Sequence, residues 1–280
     1  MTRQVEVAGA VRTYLLALPS SYSSARPAPL ILNFHGFGSN ADQQAAYSRL
    51  NELGSERGFV VVTPQGSGSP ARWTLPGTIP GSDEVAFVRA LLDELHELWC
   101  IDDGRVYATG MSNGAAFSAL LACRLEGRIA AIAPVAGINL VEPCESPVPV
   151  SVIAFHGTAD SVVPFAGGRI ADRFVVRSVP GAVAEWATHG RCVPDAEEVR
   201  IAAGVRLRAY DACPGGIAVR LYIVDGGGHT WPGSPALPSL GPVTHQIDAS
   251  RLLLDFFSDH PRPTGSLAPL RTSAPAFEGQ

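Results

Sequence analysis

Lysine is absent from the sequence, and all 21 basic residues are arginine. This absence excludes the lysine of a phosphate-binding P-loop, a Schiff-base lysine and a serine–lysine dyad. The spacings Cys-x-x-Cys and His-Glu-x-x-His, which are typical of zinc ligands, are also missing. We therefore expect neither a metal site nor a cofactor.

Long hydrophobic runs and an excess of positive charge are missing as well. No apolar run approaches the roughly 20 residues that span a bilayer. The net charge of −5 and the pI near 5.8 argue against nucleic acid or an anionic membrane surface as a partner. The N-terminal stretch alternates like a strand and lacks the pattern of a signal peptide, so the protein is cytoplasmic unless a signal has been removed. The sequence does not indicate an oligomeric state.

Apolar runs alternate with helical patterns along the chain, which indicates an α/β fold with a doubly wound, mostly parallel sheet. The runs at 29–34 and 59–64 are continuous, as in strands that are covered on both faces. A helix with capping-box spacing is predicted between them, over 40–57. The pattern predicts a single catalytic domain over 1–258. Residues 259–280 are rich in Pro, Ser and Ala and are expected to be a disordered tail.

A candidate nucleophile lies in the stretch "ATGMSNGAAFSALLA", where Ser112 stands between Gly110 and Gly114. The stretch follows a predicted strand and precedes a predicted helix. A sharp strand-to-helix turn strains its central residue and needs small neighbours, and it lifts a serine hydroxyl into an exposed position. A helix-capping serine in a tight turn is the alternative interpretation.

A serine hydroxyl needs a base, and the base needs an orienting carboxylate. Among the seven histidines, His229 in "VDGGGHTWPG" lies just past the last predicted strand, where three glycines let the backbone come close. For the acid, "FHGTADSVVPF" offers Asp160 in a loop after a buried strand. Asp225 is the competitor, although it precedes His229 by only four residues, and Asp211 is a third choice.

Two backbone N–H groups are predicted to stabilise the oxyanion of the reaction. In a hydrolase fold of this kind, one comes from the loop after the first buried strand and one from the residue after the nucleophile. These positions are Phe37, in "FHGFGSN", and Asn113. His35 is expected to brace this loop through its ring and is a candidate substrate-site residue.

Two tryptophans are candidates for the substrate pocket. Trp231 follows the candidate base by two residues, and Trp73 lies in the Pro- and Gly-rich loop 65–81. Their rings could form opposing walls for a phenolic acyl group or a hydroxyalkanoate chain. Ordinary anchoring of the loops is the alternative.

Five cysteines are present, and two of them, Cys192 and Cys213, flank a predicted hairpin. A disulfide between these two would favour an oxidising compartment, and a pair of buried thiols is the alternative. Cys100 and Cys123 are placed near helix ends and are expected to remain thiols, and the state of Cys144 is left open.

Four motifs in order resemble the polyhydroxybutyrate depolymerase-like esterase family, which includes feruloyl esterases. They are "LNFHGFGSN", "ATGMSNGAAFSA", "FHGTADSVVPFAGG" and "GGGHTWPG", and the resemblance covers roughly residues 10–257. It implies an α/β-hydrolase fold, a Ser112–Asp160–His229 triad and a bridge between the two hairpin cysteines. The chain departs from the family at Ala115, where a second glycine is more common, and in lacking a signal peptide.

The function predicted on this basis is a serine carboxylic-ester hydrolase that forms an acyl-enzyme. Its partner would be a small or polymeric feruloyl, aryl or hydroxyalkanoate ester, and its location extracellular, with the cytoplasm as the alternative. An acetyl xylan esterase and a serine peptidase on the same scaffold are the competing enzyme hypotheses. A non-catalytic binding protein of hydrolase fold comes last, because candidates for all three triad positions are present.

Overall fold

The continuous apolar runs form central strands whose two faces are both buried. β3 (Ala28–Phe34) directs Leu30 and Leu32 into one hydrophobic cluster and Ile31 into the other. Successive side chains of a strand point to opposite faces of the sheet, so a strand between two helical layers must be apolar at nearly every position. The unbroken pattern therefore places these strands in the middle of a three-layer structure.

A ten-stranded sheet forms the middle layer of the computed structural model, which describes residues 1–76, 81, 83–125, 127–143, 148–170 and 174–262. Its order is β1-β2-β4-β3-β5-β6-β7-β12-β11-β10, and β8 and β9 pair separately. The strands are β1 (Thr2–Val7), β2 (Ala10–Ala17), β3, β4 (Val60–Pro64), β5 (Ile101–Met111), β6 (Ala131–Val135), β7 (Ser151–Gly157), β8 (Gly168–Ile170), β9 (Phe174–Val176), β10 (Glu197–Ala202), β11 (Val205–Tyr210) and β12 (Val219–Val224).

Helices cover both faces of the sheet. The described α-helices are α1 (Ala41–Ser48), α2 (Leu50–Glu56), α3 (Glu84–Leu98), α4 (Asn113–Arg124), α5 (Val179–His189) and α6 (Ala249–Asp259). Apolar residues of α3, α4 and α5 belong to one hydrophobic cluster, and those of α2 and α6 belong to the other. The predicted doubly wound α/β architecture is thus confirmed.

The neighbouring strands β4, β3, β5, β6, β7 and β12 run parallel, and the outer pairs are antiparallel. Parallel strands bring their carboxyl ends to one edge of the sheet, where ligands bind in open α/β folds. Loops that follow β3, β5, β7 and β12 therefore meet at the same edge.

The helix predicted over 40–57 is two helices. Arg49 adopts a left-handed conformation (φ 56°) and ends α1 with a hydrogen bond from its N–H to the Ala45 carbonyl. The predicted cap is present, since the Asn40 side chain accepts from the Gln43 N–H. Periodicity alone could not reveal the break, because α2 resumes the apolar pattern at once with Leu50, which is buried.

The cysteines bear out two predictions and contradict a third. Cys192 and Cys213 form a disulfide, and Cys100 is a free thiol, as predicted. Cys123 is disulfide-bonded, so its prediction as a thiol is wrong. It lies half-buried in the last turn of α4, and a position near a helix end, from which the thiol was expected, does not exclude a disulfide. Cys144 lies outside the described residues.

The last described helix ends next to the predicted domain boundary at residue 258. α6 ends at Asp259, and Arg262 donates hydrogen bonds from its backbone to Gly104 and from its guanidinium to Gly127. The rest of the predicted tail, 263–280, lies outside the described residues. Among the helices that are described, none has the length and apolar character needed to traverse a bilayer.

Candidate active site

Ser112 occupies a strained turn between β5 and α4. Its backbone has φ 56° and ψ −117°, a conformation that non-glycine residues rarely adopt. The turn requires glycine on either side, because a Cβ atom on Gly114 would lie 2.2 Å from the Phe34 carbonyl oxygen and one on Gly110 would lie 2.5 Å from it. The Ser112 N–H donates to the Val135 carbonyl at 2.9 Å. The turn therefore places the serine at the carboxyl edge of the sheet.

Asp160 and His229 are in direct contact at the same edge. The His229 Nδ1 atom lies 2.7 Å from Oδ2 of Asp160, and both residues are buried. A carboxylate only accepts, so Nδ1 carries the proton and Nε2 of the neutral ring is free to accept one. Among the described residues no hydrogen bond joins the Ser112 hydroxyl to His229. Serine–histidine bonds are often long in enzymes without substrate.

The loops that carry the acid and the histidine are fastened to one another. The Thr158 N–H donates to the Val224 carbonyl, and the Ala159 N–H donates to the Gly227 carbonyl, each at 2.9 Å. A Cβ atom on Gly157 would lie 2.2 Å from the Gly227 oxygen, so the two backbones can approach only because a side chain is missing there. Gly157, the last residue of β7, thus permits the close approach of the two loops.

The Asp160 carboxylate accepts from two backbone groups besides His229. Its Oδ1 atom accepts from the N–H of Val162 at 2.9 Å and from that of Val163 at 2.8 Å. Burial alone would raise the pKa of Asp160, but the hydrogen bonds from His156, His229 and Val163 together hold that pKa well below its usual range. The acid is therefore a carboxylate at any pH near neutrality.

His156 is the residue of this site that sequence reasoning missed. Its Nε2 atom lies 3.2 Å from Oδ2 of Asp160, and both side chains are completely buried. The sequence could have indicated this contact, because His156 is the last-but-one residue of β7 and precedes Asp160 by only four positions. The order of residues argues against His156 as the base, because it precedes the acid in the chain, whereas the base follows the acid in this class of hydrolase.

The competing carboxylates are engaged elsewhere. Asp225 forms an exposed ion pair with Arg206 at 2.7 Å, and Asp211 forms one with Arg220 at 3.0 Å. Neither contacts His229 among the described residues. The geometry favours Asp160 as the partner of the histidine.

The two predicted oxyanion donors are available. Among the described residues, the backbone N–H groups of Phe37 and Asn113 make no hydrogen bond. Asn113 is the first residue of α4, and the free N–H groups at a helix N-terminus attract negative charge. The Phe37 side chain itself is 57% exposed.

Trp73 fastens the loop of Phe37 to the start of α4. Its backbone N–H donates to Oδ1 of Asn113 at 2.7 Å, and its carbonyl accepts from Nδ2 of the same side chain at 3.0 Å. Its indole N–H donates to the His35 carbonyl at 2.9 Å, and its ring stacks on Phe117. With 1% of its surface exposed, Trp73 anchors a loop, which favours the alternative interpretation of this residue over a pocket wall.

Trp231 is a core residue as well. It is also 1% exposed, and its indole N–H donates to the Ser250 hydroxyl at 3.0 Å. Ser250 lies in the first turn of α6, so the tryptophan joins the loop of His229 to that helix. The geometry does not support a role for this ring as a pocket wall.

The His35 ring connects two loops at this edge. Its Nδ1 atom lies 2.8 Å from the Gly36 carbonyl, and its Nε2 atom accepts from the Gly66 N–H at 3.0 Å. Burial lowers the pKa of His35, which keeps the ring neutral, as an accepting Nε2 requires. His35 therefore braces the loop of Phe37 against the loop that leads to Trp73.

Comparison with known proteins places these features in a family. Residues 12–193 match the family model described as esterase PHB depolymerase. Feruloyl esterase B of Piromyces equi is 30% identical over 232 residues, which are 78% of this chain and 42% of that protein. Feruloyl esterase D of Neurospora crassa is 29% identical over 242 residues, 81% of this chain and 77% of that protein. The chain thus spans less than half the length of the Piromyces enzyme.

The fold is shared with solved esterases. The structure of an acetyl xylan esterase from Aspergillus awamori superposes with a TM-score of 0.63 at 13% identity, covering 92% of this chain and 99% of that one. The family match is consistent with the described strand order and with the strained serine turn. The chain belongs to the polyhydroxybutyrate depolymerase family of esterases.

Proposed function

We propose that the protein is a serine carboxylic-ester hydrolase with Ser112 as nucleophile, His229 as general base and Asp160 as the orienting carboxylate. The observation that carries the proposal is the 2.7 Å contact between Asp160 and His229, at the edge of the sheet where Ser112 is lifted out of its turn. Membership of an esterase family supports the same reaction class.

The reaction proceeds through an acyl-enzyme. The Ser112 oxygen attacks the ester carbonyl carbon while Nε2 of His229 takes the hydroxyl proton. The tetrahedral intermediate collapses, the ester C–O bond breaks, and the imidazolium returns the proton to the leaving alcohol. Water, deprotonated by His229, then attacks the acyl carbon and releases the acid and the free serine. Asp160 stays ionised throughout and stabilises the imidazolium.

The negative charge of the intermediate is accommodated by the Phe37 and Asn113 N–H groups. Both donors are unengaged among the described residues. Their loops are joined by the clamp between Asn113 and Trp73 and braced by the His35 ring. Donors that are fixed before the reaction need no reorganisation when charge develops, which is how such groups accelerate acyl transfer.

The substrate class we propose is a feruloyl or related aryl ester, with hydroxyalkanoate esters second. The support is the similarity to two feruloyl esterases and to the polyhydroxybutyrate depolymerase model. The buried tryptophans give no independent argument for an aromatic acyl group. The fold of the acetyl xylan esterase keeps acetylated xylan as a further candidate.

We also propose that the protein works in an oxidising compartment outside the cell. A disulfide joins Cys192 to Cys213, and Cys123 is disulfide-bonded too. Disulfides persist in secreted proteins and are rare in the cytosol.

A substrate panel tests the proposal. Methyl ferulate, hydroxybutyrate oligomers, acetylated xylan, p-nitrophenyl acetate and an aminoacyl p-nitroanilide are assayed with the native enzyme and with Ser112→Ala. We expect hydrolysis of esters by the native enzyme, fastest with methyl ferulate, and its loss in the variant. Cleavage of the anilide in preference to esters would indicate a peptidase, and inactivity on the whole panel would favour a binding protein.

A further inference from the structure

A second histidine contacts the carboxylate that orients the base. Oδ2 of Asp160 lies 2.7 Å from Nδ1 of His229 and 3.2 Å from Nε2 of His156. One carboxylate oxygen therefore faces two imidazole rings, while Oδ1 is occupied by the two backbone N–H groups of Val162 and Val163. The catalytic steps described above use the first ring and leave the second without a role.

The protonation of His156 follows from its neighbours. Besides Asp160, its Nε2 atom faces the Val163 carbonyl at 2.9 Å. A carboxylate and a carbonyl both accept hydrogen bonds, so Nε2 must carry a proton and donate. His156 therefore donates a hydrogen bond from Nε2 to the loop that carries Asp160 and Val163, whether or not Nδ1 is also protonated.

The ring is held so that this donation is fixed. The His156 side chain has no exposed surface, it lies near the end of β7, and the Phe165 ring packs against it with centroids 6.0 Å apart. Its Nδ1 atom is buried without a hydrogen-bond partner among the described residues. A histidine that leaves one buried nitrogen unpaired sacrifices stability, whereas an apolar residue of the same shape would not, which points to a use for the other nitrogen.

We propose that His156 is a positioning residue that shares the Asp160 carboxylate with His229 and thereby limits how strongly the carboxylate holds the proton of the base. The inference rests on the proposed function, because it assigns His229 as the base. A carboxylate oxygen that already accepts from one donor is a weaker acceptor toward a second, because the first donor withdraws electron density from it. With His156 in place, the imidazolium form of His229 is stabilised less, and the base stays unprotonated to a lower pH.

The charged groups around this pair are few. Among the described residues, the titratable groups in contact with Asp160 are His156 and His229. Asp225, four residues before the base, is engaged with Arg206 on the exposed surface. Removal of His156 should therefore act on His229 through Asp160.

The test compares His156→Phe, which fills the space but cannot donate, with His156→Gln, whose side-chain amide can donate at a similar position. We expect the acid limb of kcat/KM in ester hydrolysis to move upward by about half a pH unit or more in the Phe variant, because His229 now binds its proton more tightly. The Gln variant should restore much of the native profile. Thermal unfolding shows which variants are folded.

A matched control is His35→Phe, which removes the other buried histidine of a Phe-His-Gly stretch. His35 does not contact Asp160. We therefore expect this variant to lower kcat, because the loop of Phe37 is no longer braced, and to leave the acid limb of the pH profile unmoved. A purely structural role for His156 predicts that its Phe variant behaves likewise, with a lower kcat and an acid limb that is unmoved or moves down. That result would overturn the proposal, and so would failure of a folded Gln variant to restore the profile.

A readout without substrate separates this inference from the proposed function. The pKa of His229 is followed by NMR titration of its ring Cε1–H, assigned with His229→Gln, in native protein and in both His156 variants. An upward shift in the Phe variant supports the shared carboxylate even if no ester is hydrolysed, in which case the proposed function alone fails. An unchanged His229 pKa rejects the inference whatever the activity.

Discussion

The side-chain amide of Asn113 is hydrogen-bonded to both backbone polar groups of Trp73. This clamp joins the first residue of α4 to a loop 40 residues away in sequence. Since the indole N–H of Trp73 reaches on to the His35 carbonyl, the clamp holds together the two segments that carry the proposed oxyanion donors. The sequence predicts Asn113 only as a donor through its backbone N–H, whereas in the structure its side chain also positions these two segments.

We predict that Asn113→Ala lowers kcat for ester hydrolysis by about tenfold or more, with a smaller change in KM. The backbone N–H remains, but its alignment and that of Phe37 are no longer fixed, and complete loss of one oxyanion donor costs about 100- to 1000-fold. Steady-state kinetics with p-nitrophenyl acetate measure the effect. Asn51→Ala is the control. Asn51 lies on α2, outside the proposed site, and its side-chain amide accepts from the Thr63 hydroxyl at 3.0 Å. Equal kcat in both variants would show that the clamp is dispensable.

The sequence could predict the central buried strands and the serine turn, because each leaves a local pattern. Continuous apolar runs identify buried strands, and glycines two residues either side of Ser112 identify the turn. The positions of their loops favour Asp160 over Asp225 as the acid, and the structure adds an observation that points the same way, because Asp225 is paired with Arg206.

The remaining features depend on contacts between distant segments. Trp231 closely follows the candidate base and Trp73 lies in a loop, yet both rings turn into the core. The Trp73 ring stacks on Phe117 of α4, and the Trp231 indole finds an acceptor in Ser250 of α6. The contact of His156 with Asp160 needs a particular loop conformation after β7, which the sequence pattern does not specify. The break at Arg49 needs the positive φ that only the structure reveals.

Asp160→Asn should reduce kcat by about 10⁴-fold, by analogy with a triad whose histidine is left in the wrong tautomer. An amide nitrogen placed at the Oδ2 position would donate to His229 and thereby force the proton onto Nε2. Asp225→Asn should cost far less, since that carboxylate is engaged with Arg206 at the surface. Steady-state kinetics of both variants measure the two losses of kcat. A larger loss in Asp225→Asn than in Asp160→Asn would assign the acid to Asp225.

Acid sensitivity should originate in part at Asp160. Burial alone would raise its pKa, but its hydrogen bonds hold that pKa below the usual range. Between the folded pKa and the unfolded value of about 3.9, the unfolded chain binds a proton that the folded protein does not. The stabilisation is therefore complete above the unfolded pKa and is lost as the pH falls toward the folded one.

We expect the free energy of unfolding to fall below about pH 4, and to fall less steeply in Asp160→Asn, which has no proton to bind. Urea unfolding at a series of pH values measures both slopes. Asp225→Asn should alter the slope less, because its ion pair is exposed and screened by solvent. Identical slopes in native protein and Asp160→Asn would place the acid sensitivity elsewhere.

The disulfide between Cys192 and Cys213 should stabilise the second half of the domain. The cysteines are 21 residues apart and enclose the β10–β11 hairpin, and the Val193 N–H donates to the Ala212 carbonyl next to the bridge. Closing a loop of this size contributes about 3 kcal/mol in the chain-entropy model. In a domain of this length, that corresponds to a fall of roughly 5 to 10 °C in Tm when the bridge is removed.

The double variant Cys192→Ala/Cys213→Ala tests this in protein made under oxidising conditions, with Cys100→Ala as the control because that thiol is free. Substitution is preferable to reduction, since a reductant would also act on the bonded Cys123. Scanning calorimetry should show a lower Tm for the double variant and a small change for the control. Non-reducing peptide mapping should recover Cys192 joined to Cys213. Free thiols at both positions would remove the bridge and, with it, a main argument for an extracellular enzyme.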